Sequence, residues 1–128
     1  MTKLVCLDTS VIIDYLKGEG PAVNIVESYL KNERLATTTI TKYELLKHTD
    51  VLKREIAEEM LSSMILYQFD SEAAVEAAKI YRELSAKGEM VNESDILILG
   101  IVKHNKEKLI TRDTGFERLK DSNSILIF

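Results

Sequence analysis

The sequence predicts an α/β protein, a three-layer sandwich with helices on both faces of a central parallel sheet of about five strands. Two observations lead to this prediction. Short apolar runs alternate along the chain with longer stretches in which apolar residues recur at helical spacing. The chain has 128 residues, 45% of them hydrophobic, which suits one domain with one well-filled interior. We therefore expect a single domain over residues 1–128.

The predicted strands are short and either continuously apolar or rich in threonine, which favours buried extended chain. They cover residues 3–7 (KLVCL), 34–39 (RLATTT), 64–69 (MILYQF), 108–111 (KLIT) and 124–128 (SILIF). The predicted helices cover residues 10–17, 22–31, 41–49, 51–62, 71–87 and 94–105. Pro21 suits the first turn of the second helix, and Gly88 suits the end of the fifth. Ligands of such open sheets bind beyond the carboxyl ends of the strands, where the strand order reverses.

The composition narrows the class of protein. A net charge of −4 gives no global basic field of the kind that nucleic-acid binders often carry, although a local cationic strip remains compatible with it. The single cysteine, Cys6, lies inside the first apolar run and predicts a buried thiol in a reducing compartment. We find no apolar run of the roughly 18 residues that a membrane span needs. The sequence therefore predicts a cytoplasmic protein without a membrane segment.

Four carboxylates lie where the predicted sheet would gather them. Asp8 directly follows the first strand, and Asp113 follows the fourth. Glu44 belongs to the helix after the second strand. Asp95 opens a predicted helix that continues as ILILGIV. This helix is apolar on every face and must therefore be buried. Because parallel strands end at the same edge, we expect these four side chains to approach one another there.

Each of these acids also has a structural explanation of its own. Aspartate at a helix start commonly caps free N–H groups, and a Thr-x-x-Glu sequence fits a capping box. The structural alternatives are an N-cap for Asp8, a capping box for Thr41 with Glu44, a first-turn acid for Asp95 behind an Asn92 cap, and a turn for Asp113 with Gly115. Asp70, before the fifth predicted helix, fits an ordinary cap.

Four carboxylates at one edge would repel one another. Two unit charges at about 4 Å interact by about 4 kcal/mol at an effective dielectric near 20. A bound divalent cation offsets this repulsion, and oxygen-only ligands select Mg²⁺ or Mn²⁺. His48 and His104 lack metal-ligand spacing and are predicted to be surface or packing residues.

The blocks LVCLDTSVIIDYL, TTITKYELLKH, NESDILILGIV and LITRDTGFERL, in this order over the whole chain, resemble the PIN-domain nucleases. Among these the chain is most similar to the VapC-type toxins of prokaryotic toxin–antitoxin pairs. The resemblance implies a Rossmann-like PIN fold and a metal-dependent endoribonuclease. It places Asp8, Glu44, Asp95 and Asp113 in an acidic catalytic pocket that holds one or two Mg²⁺ or Mn²⁺ ions.

The same resemblance implies supporting residues and partners. Thr9, Ser10 and Thr111 match small hydroxyl residues that buttress the pocket, and Glu93 is an auxiliary acid. Arg112, beside Asp113, is our candidate for a contact with an RNA phosphate. The resemblance further implies a homodimer, an RNA substrate and a cognate antitoxin protein.

Proteins of other classes fit the sequence less well. The DTS and DTG triplets at 8–10 and 113–115 occur in aspartic proteases, but those folds are nearly all-β. Receiver domains need adjacent acids after the first strand, and dehalogenase-type phosphatases need an acid where this chain has Ser10. The alternative that stays open is a PIN-fold module that binds RNA or protein without robust catalysis.

Overall fold

A five-stranded sheet forms the centre of the protein in a computed structural model that describes residues 4–31, 34–89, 91–119 and 125–128. Its strands are β1 (Leu4–Leu7), β2 (Arg34–Thr38), β3 (Ile65–Tyr67), β4 (Lys108–Thr111) and β5 (Ile125–Ile127). Every pairing is parallel, and the spatial order is β3-β2-β1-β4-β5. The predicted parallel five-stranded sheet is thus confirmed. The first predicted strand starts at Lys3 and the fifth at Ser124, and both of these residues lie outside the described residues.

Six helices alternate with these strands, as predicted. They are α1 (Thr9–Leu16), α2 (Gly20–Leu30), α3 (Thr39–Leu46), α4 (Val51–Ser62), α5 (Ser71–Ala86) and α6 (Glu93–His104). A 3₁₀ segment at Thr114–Leu119, after β4, was not predicted. Pro21 lies in the first turn of α2, and Gly88 follows α5 with a φ of 69°, so both predicted boundary residues act as expected.

Two apolar layers cover the two faces of the sheet, because successive side chains of a strand point to opposite faces. Cys6 and Leu109 pack with α5 and α6 on one face. Val5, Leu7 and Ile110 pack with α1, α2 and α4 on the other face. The three-layer sandwich follows from this alternation, and the buried position predicted for Cys6 is confirmed.

Helix α6 is buried along most of its length, as its apolar sequence predicted. Ile98, Leu99, Ile101 and Val102 are each no more than 1% exposed, and Gly100 between them is also buried. Gly100 is the point of closest approach to α5, since a Cβ atom there would lie 2.7 Å from the Cβ of Ala77. This contact fixes α6 against α5 and thereby fixes where the first turn of α6 lies.

The strand order reverses between β1 and β4, which are hydrogen-bonded neighbours. Leu7 pairs with Ile110, and the backbone N–H of Asp8 donates to the carbonyl of Ile110 at 2.9 Å. The residues that follow β1 therefore lie beside Thr111, the last residue of β4. This is the crevice in which open α/β sheets bind ligands.

The capping box predicted for Thr41 and Glu44 is wrong. Helix α3 begins at Thr39, earlier than the predicted 41, and its N-cap is Thr38. The Thr38 hydroxyl oxygen accepts a hydrogen bond from the backbone N–H of Thr41 at 3.1 Å. An N-cap three residues earlier satisfies one of the free N–H groups of the helix, and the Glu44 side chain is released for another contact.

Candidate active site

Asp8 is a buried carboxylate, 3% exposed, at the carboxyl end of β1. It occupies the N-cap position of α1, but its side chain makes no cap hydrogen bond. Its Oδ2 instead accepts hydrogen bonds from the hydroxyls of Thr111 at 2.7 Å and Ser10 at 3.2 Å. Burial raises the pKa of Asp8 most, and nearby Asp113 adds to this. Hydrogen bonds from the Thr111 and Ser10 hydroxyls and from the backbone N–H of Thr9 oppose the shift. The carboxylate is oriented across the sheet, which the cap prediction did not anticipate.

Asp95, in the first turn of α6, is the electrostatic centre of the site. Burial and the charges of Asp8, Asp113 and Glu44, in addition to a side-chain hydrogen bond with Asp113, raise the pKa of Asp95 to about 7. The usual pKa of an aspartate is 3.8, and no cation among the described residues opposes the upward shift at Asp95. All four predicted acids therefore interact electrostatically around Asp95, although no three of them bring their ligand atoms within 4.8 Å of one another.

Glu44 reaches this point from α3 and is held by α1. The hydroxyl of Thr9, the first residue of α1, donates a 2.7 Å hydrogen bond to Glu44 Oε1. The same hydroxyl oxygen lies 3.0 Å from Oγ1 of Thr41, whose side chain is fully buried. Thr9 thus supports Glu44, whereas Ser10 and Thr111 support Asp8.

Asp113 is held by the turn that follows β4. Its Oδ1 accepts a 2.8 Å hydrogen bond from the backbone N–H of Gly115, and its own N–H donates to Oγ1 of Thr111 at 3.0 Å. The predicted turn with Gly115 is present, and it fixes the carboxylate within reach of Asp95. The structural interpretation of Asp113 as a turn residue is confirmed, and its role in a metal site stays a prediction.

Arg112 is paired with two acids outside the group of four. Its guanidinium makes ion pairs with Asp14 at 3.3 Å and with Glu19, and it lies 5.0 Å from the centre of the Phe128 ring. Its backbone N–H donates to the Ser10 hydroxyl at 3.3 Å, which links the β4 turn to the Asp8 network. About a quarter of the Arg112 side chain, 28%, stays exposed at the rim.

Glu93 is exposed at the start of α6. It precedes Asp95 by two residues on the same helix, and residues at this spacing project from different sides. The structure therefore places Glu93 at the edge of the site and away from the direction in which Asp95 points.

A second group of possible metal ligands lies elsewhere in the fold. Asp70, Glu72 and His104 each offer one ligand atom, and these three atoms lie within 4.8 Å of one another. His104 ends α6, and Asp95 lies in the first turn of the same helix, so the two groups are separated by about 13 Å along the helix axis. Asp70 also caps α5 by accepting from the N–H of Ala73 at 2.9 Å, as predicted. Asp70 and Glu72 are exposed, whereas at the sheet edge Asp8 is buried and the other three acids are half-buried.

The four-carboxylate group fits a hard divalent cation. All four ligand candidates offer oxygen, which Mg²⁺ and Mn²⁺ prefer, and none offers sulfur or imidazole. Burial raises the pKa of Asp95 most, and the charges of Asp8, Asp113 and Glu44 add to this; a dication would offset those charges. Of the nearby cationic groups, the Arg112 guanidinium is already shared by Asp14 and Glu19.

Comparison with protein families gives a match over nearly the whole chain. A family described as PIN domain matches residues 5–122. The chain belongs to the PIN-domain family. This confirms the family predicted from the four sequence blocks, and the five-stranded parallel sheet is the fold expected for it. Among curated proteins, none matches the sequence significantly.

Solved structures similar to this PIN domain include toxin–antitoxin complexes. DNA-bound VapBC from Salmonella typhimurium is 26% identical with a TM-score of 0.83, and the match covers 100% of this chain and 98% of the other. VapBC-5 from Mycobacterium tuberculosis is also 26% identical, with a TM-score of 0.69 and coverage of 98% and 97%. VapBC2 from Rickettsia felis, bound to a promoter DNA fragment, is 18% identical with a TM-score of 0.83, and the match covers 98% of both chains.

Sequence reasoning missed several residues around this site. Thr41 was assigned to a capping box, although its spacing of three from Glu44 already placed both on one face of a helix. Asp14, Glu19 and Phe128 gave no local signal, because they meet Arg112 only through the folding of distant segments.

Proposed function

We propose that this PIN-domain protein is a metal-dependent endoribonuclease and the toxin of a VapC-type toxin–antitoxin pair. The observation that carries the proposal is the position of Asp95 in a half-buried site beside Asp8, Glu44 and Asp113. Its burial and then the charges of these neighbours raise the pKa of Asp95 to about 7. Such clusters of perturbed acids in a crevice are typical of sites that act on ligands. The position at the reversal of strand order supports the same conclusion.

The cation in this proposal is Mg²⁺ or Mn²⁺. Asp8 and Asp95 would hold it, and Asp113 and Glu44 would complete the ligand set directly or through water. When bound, such an ion activates water for attack on phosphorus and offsets the charge of the phosphodiester. As a ligand Asp95 would have to be ionised, so its raised pKa would make metal binding depend on pH.

The hydroxyl residues act on the carboxylates in this scheme. Thr111 and Ser10 fix Asp8 through its Oδ2, and Thr9 fixes Glu44 through its Oε1. Partners of this kind orient metal ligands and raise metal affinity. Preorganised carboxylates let the site bind the ion and the substrate without first reorganising.

RNA binding would use the rim of the crevice. Arg112 is the proposed phosphate contact, supported by its exposed fraction and by its position next to Asp113. Asp14 and Glu19 already accept from its guanidinium, so we expect a contribution smaller than that of an uncompensated arginine. Glu93 stays an auxiliary acid in the proposal, at the exposed edge of the site.

The proposed partners are a second copy of the chain and an antitoxin. The support is the likeness to VapBC complexes, together with exposed apolar side chains on the neighbouring helices α3 and α4. These side chains are Tyr43, Val51, Leu52 and Ile56. Among the described residues, no helix is long and apolar enough to cross a bilayer. The proposed RNA substrate would be met in the cytoplasm.

Cleavage of end-labelled RNA tests the proposed activity. The purified chain is incubated with single-stranded RNA, or with DNA of the same sequence, in Mg²⁺, in Mn²⁺ or in EDTA. We expect cleavage of RNA only with a divalent ion, and a loss of about 100-fold or more in Asp8→Asn and Asp95→Asn. Glu58→Gln, at an exposed carboxylate of α4 outside the cluster, is the matched control.

The outcomes separate the two functions. Wild-type cleavage rates in Asp95→Asn, or full activity in EDTA, would contradict the nuclease. RNA binding without cleavage under all metal conditions would favour the PIN-fold binding module instead.

A further inference from the structure

A chain of hydroxyl groups leads from the buried start of α3 to the candidate site. Thr41 is fully buried, and its Oγ1 lies 3.0 Å from Oγ1 of Thr9, which lies 2.7 Å from Glu44 Oε1. Thr41 and Glu44 are three residues apart on one helix, so both face Thr9 on α1. Thr41 thus reaches Glu44 only through Thr9.

The direction of these hydrogen bonds follows from the number of protons. An ionised carboxylate only accepts, and a hydroxyl has a single proton to donate. Thr9 therefore donates to Glu44 and must accept from Thr41. The other neighbour of Thr41 Oγ1 is the Thr38 hydroxyl at 3.4 Å, a longer contact than the one to Thr9. The shorter contact assigns the Thr41 proton to Thr9.

We propose that Thr41 is a positioning residue that holds Glu44 in place through the Thr9 hydroxyl. When the Thr41 proton is held by one lone pair of the Thr9 oxygen, the Thr9 hydroxyl favours the orientation in which its own proton points at Glu44. Linked hydrogen bonds also strengthen one another. Because Thr41 is fully buried, water does not replace its hydroxyl when that hydroxyl is removed. The inference rests on the proposed function, since it gives Glu44 a role in holding the cation.

A purely structural role for Thr41 predicts different behaviour. A buried threonine that only fills space and satisfies hydrogen bonds would, when changed, lower stability without altering the metal affinity of the folded chain. The two roles are separated by measuring Mn²⁺ binding to folded protein and by asking whether the effect of Thr41 depends on Glu44.

The experiment measures Mn²⁺ affinity of the full chain by calorimetry, with thermal melts to confirm folding. Thr41→Val removes the hydroxyl and keeps the shape, whereas Thr41→Ser keeps the hydroxyl. We expect Thr41→Val to weaken Mn²⁺ binding about threefold to tenfold, less than the roughly 10–100-fold typical of a direct partner of a ligand. Thr41→Ser should restore the affinity to within about twofold of wild type.

Two further variants make the test specific. Thr41→Val combined with Glu44→Gln should bind Mn²⁺ no more weakly than Glu44→Gln alone, because Thr41 then has no carboxylate to position. Thr37→Val removes another fully buried hydroxyl, one that donates to the carbonyl of Leu7 at 2.7 Å. This control should lower the melting temperature and keep the wild-type Mn²⁺ affinity.

Wild-type Mn²⁺ affinity in folded Thr41→Val would overturn the proposal, as would an equal loss in the Glu44→Gln background. A failure of Thr41→Ser to restore binding would do the same. RNA cleavage by the same proteins separates this inference from the function. If the wild-type chain binds Mn²⁺ but does not cleave RNA, the proposed nuclease activity is contradicted. The Mn²⁺ affinities of the variants still decide the role of Thr41. A wild-type chain that binds no Mn²⁺ overturns both.

Discussion

The hydroxyl of Thr111 donates a 2.7 Å hydrogen bond to Oδ2 of Asp8, although the two residues are 103 positions apart in the chain. The pairing of β1 with β4 creates this contact, because it sets the end of one strand beside the end of the other. Both groups are buried, so the bond opposes the burial that raises the pKa of Asp8. A fold-level feature, strand order, thus sets the orientation and charge of one carboxylate.

Removal of the Thr111 hydroxyl should weaken the site while leaving the sheet intact. In Thr111→Val we expect Mn²⁺ affinity to fall about 10-fold or more, because Asp8 loses the shorter of its two hydroxyl partners. RNA cleavage at limiting metal should fall in parallel. Thr111→Ser keeps the hydroxyl and should retain most of both. Equal metal affinity in wild type and Thr111→Val would show that Ser10 alone suffices to orient Asp8.

Arg112 should affect how strongly RNA binding depends on salt concentration. If its guanidinium contacts an RNA phosphate, Arg112→Ala should lower the slope of log affinity against log salt, by at most about 0.7 for a single-stranded target. Because Asp14 and Glu19 share the guanidinium, we expect less than this full value. Binding titrations from about 50 to about 200 mM salt provide the measurement. Arg112→Lys keeps the charge and serves as the control, and an unchanged slope in Arg112→Ala would assign the residue to the Asp14 and Glu19 contacts alone.

Local signals in the sequence predicted the helices and strands. They did not predict the contacts between segments that are distant along the chain. The apolar run ILILGIV predicted that α6 is buried, and hence that Asp95 at its start lies at the interior edge of the protein. The Thr-x-x-Glu spacing fitted a cap equally well, and only the earlier start of α3 at the Thr38 cap decided against it. Arg112 looked like a free rim cation because Asp14 and Glu19 lie 98 and 93 positions away along the chain. Such pairings depend on crossover geometry, which spacing along the chain does not encode.

Substitution of Gly100 tests the placement of α6. A methyl group at this position would lie 2.7 Å from Ala77 Cβ and 2.8 Å from the carbonyl oxygen of Ala73, and backbone cannot move aside easily. Gly100→Ala should therefore destabilise the fold by about 1–3 kcal/mol despite the higher helix propensity of alanine. Chemical denaturation provides the measurement. Gly20→Ala is the matched control, because no atom lies within 4 Å of the position that its methyl group would take, and it should be neutral or stabilising by about 0.5 kcal/mol.

Asp95 should make the stability of the metal-free protein depend on pH. The folded pKa of about 7 lies above the usual 3.8, so between these values the folded chain keeps a proton that the unfolded chain has released. Stability contributed by the protonated carboxyl is therefore complete below about pH 4, falls as pH rises through this window, and is lost above about pH 7. Asn mimics the protonated form at every pH. Asp95→Asn should thus melt near wild type at about pH 4 and about 4 °C higher at pH 8, after allowance for solvent screening.

Mn²⁺ should reverse the order of these two proteins. At pH 8 the ion stabilises the wild-type chain through its ionised carboxylates, whereas Asp95→Asn lacks one of them and gains little. Below about pH 6 the proton competes with the ion at Asp95, and the stabilisation of wild type by Mn²⁺ should fade. Melting curves with and without Mn²⁺ across this range provide the measurement, with Glu58→Gln expected to follow wild type throughout. An Asp95→Asn chain that melts below wild type at pH 8 in EDTA would mean that the carboxylates stabilise one another through a cation of the protein itself, and the dication would no longer be required to explain their convergence.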